Sequence, residues 1–71
     1  MERKTMSIEG MKTQACCGRV ADALNRLDGV TAVADLERGI ASITVEGRVS
    51  DQALEQAVVD AGYRVMGLKN S

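Results

Sequence analysis

"VTAVADLERGIASITVEG", residues 30 to 47, decides the architecture. Two short runs rich in β-branched residues, VTAVADL and IASITVEG, meet at Glu37-Arg38-Gly39. In the second, Ile43 and Val45 alternate with Ser42 and Thr44, the period of a half-buried strand, so the pair reads as a hairpin. On its amino side, from residue 14, Val20, Ala23, Leu24 and Leu27 fall at i, i+3, i+4 and i+7 and trace one apolar stripe on a helix that Asp28-Gly29 ends. On its carboxyl side the same stripe returns. Ser50 caps a second helix, Asp51 sits in its first turn, Leu54, Ala57, Val58 and Ala61 repeat the spacing, and Gly62 stops it. Further out, KTMSIEG places Met6 and Ile8 on one face and Thr5, Ser7 and Glu9 on the other, a strand over roughly 3 to 9, and YRVMGL supplies a last short strand. The order is βαββαβ. Two βαβ halves of this kind predict an α+β, ferredoxin-like sandwich: a four-stranded antiparallel sheet with two helices on one face. The whole chain, 1–71, is expected to form one domain.

Composition narrows what such a domain can do. With 71 residues and 45% hydrophobic content, the core must be assembled from Ala, Val, Ile, Leu and Met in a chain that buries only ~60% of its unfolded surface. Nine basic against ten acidic residues, net −1, provide no basic stripe for phosphates and no polybasic anchor, so neither nucleic acid nor a membrane surface is an expected partner. The start MERKTMSIEG lacks the apolar stretch of a secretory signal, and no run is long enough to span a bilayer, which predicts a cytoplasmic protein. RNA-recognition modules share the topology but stack bases on two or three sheet aromatics; here Tyr63 is the one aromatic residue. Acylphosphatase-type chemistry would need a phosphate cradle, and neither a Gly-rich loop nor a nucleophile with a base beside it is present. There is no His, and the carboxylates read as solvated faces, so an enzyme is not expected.

The thiols remain. Cys16 and Cys17 are the two cysteines of the chain, adjacent, in the first turn of the first helix. There the positive end of the helix favours thiolate, with Lys12 and Arg19 pushing the same way, so both sulfurs are expected to be reactive. The plainer reading is that one is a small apolar filler, since free Cys is commonly buried. Both cannot be, because successive helical residues point ~100° apart. Two cysteines in a reducing compartment are more often metal ligands or redox thiols than a structural disulfide.

Gly10, Met11, Cys16, Val20, Ala23, Leu24, Leu27, Gly29 and Val30, followed by Ala61-Gly62-Tyr63, resemble the heavy-metal-associated domain family. These are the small modules of copper chaperones and of metal-pumping ATPase N-termini, and the opening MERKTMSIEGM is especially similar to bacterial cytosolic copper chaperones. The resemblance covers nearly the whole chain, and the fold it implies is the one derived above. The family reads GMxCxxC; here Thr13 stands at the first cysteine position and the second thiol appears one residue late, as Cys17, giving TxxCC. The resemblance implies that Met11 plugs the core beneath the metal loop and that Tyr63 packs beside the site, its hydroxyl able to bond a thiolate. Thr13 has a role of its own as N-cap, accepting from the backbone N–H of Cys16.

The expected function is soft heavy-metal binding and transfer through Cys16 and Cys17. Cu(I) is the first choice, with Hg(II), Cd(II) or Zn(II) as ions the same sulfurs would take. A metal-transporting P-type ATPase or another metal acceptor protein is the implied partner. Because adjacent helical thiols diverge, either the loop distorts to let both reach one ion or a metal-bridged homodimer forms. Two alternatives stay open: a degenerate metal-binding fold kept for protein contacts, and a thiol redox sensor using a vicinal disulfide.

Overall fold

The computed structural model describes residues 2–70; the first and last residues of the expected 1–71 domain lie outside them. The elements run β1 (Glu2–Glu9), α1 (Gln14–Asn25), β2 (Val30–Asp35), β3 (Ile40–Val45), α2 (Asp51–Asp60) and β4 (Arg64–Asn70). The strands form one sheet in the order β2-β3-β1-β4, every neighbouring pair antiparallel. This is the ferredoxin-like sandwich that the hairpin and the repeated helical stripe predict.

Alternation places Met6 and Ile8 of β1, Ala41, Ile43 and Val45 of β3, and Val30 and Ala32 of β2 on one face of the sheet. They pack in a single cluster with Cys17, Val20 and Leu24 of α1 and Leu54 and Val58 of α2. Both helices therefore cover the same face. Lys4 occupies the same row of β1 and is buried, a placement that the expected Met6/Ile8 face did not include. Its stem covers apolar surface while its ammonium pairs with Asp51, in the first turn of α2, and stands 3.8 Å from Glu2.

Element ends differ from the expected ones for local reasons. β2 stops at Asp35, one residue earlier than the apolar run suggests, because the Asp35 carboxylate accepts the Arg38 N–H at 3.3 Å and turns the chain. α1 ends at Asn25 rather than at Asp28-Gly29, and the Asn25 side chain then brackets Ala32, accepting its N–H at 2.8 Å and donating to its carbonyl at 3.1 Å. That contact satisfies backbone groups on the outer edge of β2, an edge strand. Gly29, at φ +79°, has no room for a side chain, since a Cβ would collide with the carbonyl oxygen of Glu46. β4 starts at Arg64 and runs to Asn70, with a register shift opposite Ser7 and Ile8. No described helix is long and apolar enough to cross a membrane.

Candidate functional site

Three short segments meet where β1 enters α1. The first is the loop after β1. Gly10, at φ +100°, turns the chain, and Met11 then drops into the core, where it is buried. The second is the first turn of α1. Thr13 is its N-cap, and its hydroxyl oxygen accepts the N–H of Cys16 at 3.3 Å, the cap bond expected from the sequence.

The third segment is the end of α2, which delivers Tyr63. Gly62 adopts φ +95°, its N–H bonds Val59 O at 2.9 Å, and the Tyr63 N–H bonds Val58 O at 3.2 Å, the paired closure of a Schellman motif. The chain leaves the helix at a set angle, and the Tyr63 ring comes to rest by Gly10, its Cδ1 3.6 Å from where a Cβ on that glycine would stand. The A-G-Y signature therefore has a geometric meaning: Gly62 aims Tyr63.

Cys16 sits among these segments, half-buried. The Thr13 hydroxyl, besides accepting from its N–H, donates to its Sγ at 3.4 Å. Hydrogen bonds from the Thr13 hydroxyl, the Tyr63 hydroxyl and the Lys12 backbone N–H lower the Cys16 thiol from its ordinary 9.0 to about 6. Donors, rather than the side-chain charge of Lys12, carry the effect. Tyr63 moves the opposite way: its bond to Cys16, its burial and the nearby thiolate charge raise it above 10.0, while a bond from Arg19 opposes them. At neutral pH the pair is a tyrosine O–H facing a thiolate.

Cys17 is placed otherwise. The expectation of two reachable thiolates is corrected, because Cys17 is only 5% exposed and lies in the core. It extends the buried row of α1 one step back, as Cys17, Val20 and Leu24 at i, i+3 and i+7. That spacing was legible in the sequence and shows which of the two adjacent sulfurs must turn inward. Thus Cys16, Thr13 and Tyr63 are brought together, Met11 lies beneath the loop, and Cys17 is sealed on the far side of the helix wall. Among the described residues, no three His, Cys, Asp or Glu gather around one point. The donor set suits a soft ion of low coordination number, not a closed four-ligand cage.

Comparison with known proteins bears on this site. The heavy-metal-associated domain family matches residues 5–64. The copper chaperone CopZ of Bacillus subtilis is 39% identical over 67 residues, covering 92% of this chain and 97% of the chaperone. A copper-exporting P-type ATPase of Mycobacterium tuberculosis is 39% identical over 64 residues, 90% of this chain but 8% of the ATPase. Among solved structures, a CopZ metallochaperone superposes with a TM-score of 0.86 at 33% identity, covering 90% of this chain and 98% of that one.

Proposed function

The chain belongs to the heavy-metal-associated domain family, and from that premise we propose that it binds a soft heavy-metal ion, Cu(I) before others, and passes it to an acceptor. The observation that carries this reading is the Cys16 sulfur: half-exposed and held as thiolate near neutral pH by the Thr13 and Tyr63 hydroxyls. Thiolates select Cu(I), and the same sulfur would take Hg(II), Cd(II) or Zn(II). The relatives named for copper carriage and copper export support copper as the cargo. Cys16 makes first contact. A second thiolate then comes from Cys17 or from Cys16 of a second copy, the latter giving a metal-bridged dimer.

In this reading Met11 is a core plug, Thr13 and Tyr63 hold the thiolate, and the module breaks no bond of a substrate. Transfer is ligand exchange in the cytoplasm: an incoming acceptor thiolate joins the ion before Cys16 leaves. A metal-transporting P-type ATPase carrying a related domain is the proposed acceptor, in keeping with the ATPase segment that matches this chain.

Anaerobic titration of the reduced protein with Cu(I), Zn(II) and Hg(II), reading stoichiometry and mass together, tests it. Tight uptake of Cu(I) that Cys16→Ser abolishes is the expected result. Wild-type protein that takes up no Cu(I) against a modest chelator, or uptake unaffected by Cys16→Ser, overturns it.

A further inference from the structure

Gly18 is out of place in α1. It is exposed, and a Cβ built on it would meet nothing within 4 Å, so no close approach demands glycine there. It is helical in conformation, without the positive φ of the turn glycines. Yet glycine inside a helix disfavours the helical state roughly fivefold relative to alanine. The glycine immediately follows Cys17, the sulfur that the folded helix seals. Ahead of it lies one turn, Gln14–Cys17, tied to Thr13 by the Cys16 N–H to its hydroxyl at 3.3 Å and the Cys17 N–H to its carbonyl at 3.2 Å.

Resting on the soft-metal reading of Cys16, we infer that Gly18 is the joint at which the first turn of α1 opens, releasing Cys17 from the core to join Cys16 on the ion. While the turn stays helical the two sulfurs point ~100° apart, and one of them is walled off. The described methionines are thioethers rather than thiolates, Met6 and Met11 buried in the core and Met66 exposed on β4, so Cys17 is the second thiolate the chain can supply. Opening at Gly18 is the least costly place to break the helix, because glycine is tolerated as an N-cap, so the shortened helix restarts with an acceptable end. Val20 and Leu24 stay in the core and hold the remainder. What is given up is the burial of one small side chain and a turn of hydrogen bonds. What forms is a second metal–thiolate bond, the Cys17 thiol losing its proton to solvent as its sulfur coordinates.

The test combines hydrogen exchange with a double-mutant cycle, using Cu(I) added anaerobically and native mass to confirm loading. With one equivalent bound, the amides of Cys17 and Gly18 should exchange at least ~10-fold faster, while those of Leu24 and Asn25 stay protected. Gly18→Ala should raise the melting temperature but lower Cu(I) affinity about fivefold. In a Cys17→Val background, which refills the core position, Gly18→Ala should leave the affinity unchanged. Bound copper with Cys17 and Gly18 exchange unaltered, including copper shared between two copies, overturns the joint and leaves the carrier reading standing. So does an affinity that Gly18→Ala does not change in the wild-type background. If no copper binds at all, both fall together.

Discussion

The Cys16 thiolate owes its state to two hydroxyls that arrive from opposite ends of the sequence, one as the cap of α1 and one as the exit of α2. Because the folded-state value is depressed, the sign is that of an acid stabilised in its charged form. The stabilisation is fully present above the ordinary value of 9.0 and is lost as pH falls through about 6. Iodoacetamide alkylation of Cys16, followed against pH, should show a midpoint near 6 in the wild type. Tyr63→Phe and Thr13→Val should each move that midpoint upward, toward 9.0, while Thr13→Ser should hold it. A wild-type midpoint at the ordinary value would contradict the donor network. The family resemblance pointed to the Tyr63 hydroxyl, but by residue type Lys12 and Arg19 look like the remaining sources of the shift. Only folding shows that Lys12 acts through its backbone N–H and that Arg19 bonds Tyr63 instead.

At the scale of elements, the caps and turns were legible where one residue type has one physical use. Ser50 accepts the Ala53 N–H at 3.1 Å, as an N-cap should, and Gly62 closes α2. The end of α1 was not legible, because Asn25 is claimed by the β2 backbone, a long-range contact that periodicity cannot report. Gly29 joins that region to the end of β3: its carbonyl accepts the Glu46 N–H at 2.7 Å, and a side chain there meets the Glu46 carbonyl. Gly29→Ala should therefore cost ~2 kcal/mol or more, from left-handed backbone strain and the displaced pairing together. Urea denaturation would show it, and an unchanged midpoint would mean that the turn relaxes freely.

For the whole molecule, the margin of stability is small. A chain of this length is expected to be stable by roughly 4 to 10 kcal/mol, and its core is one layer of aliphatic side chains between sheet and helices. Leu54 is fully buried at the centre of α2. Leu54→Ala should cost about 2–5 kcal/mol, a large share of that margin. Thermal melting by circular dichroism measures the loss, and a drop of less than a few degrees would show that the layer collapses around the gap. The same thin core is why Cys17 can serve as filler: a small side chain suffices beside Val20.

Periods of two and of 3.6, read from one chain, determined the order of elements, the inward rows and the place of the thiols at the start of α1. Backbone geometry sets those periods locally, so no distant residue is needed to interpret them. The tertiary structure alone decided which donors gather on the outward sulfur and how Lys4 and Asn25 are used. Each depends on surfaces brought together from elements far apart in sequence, and burial is a property of that assembly rather than of a residue's neighbours along the chain.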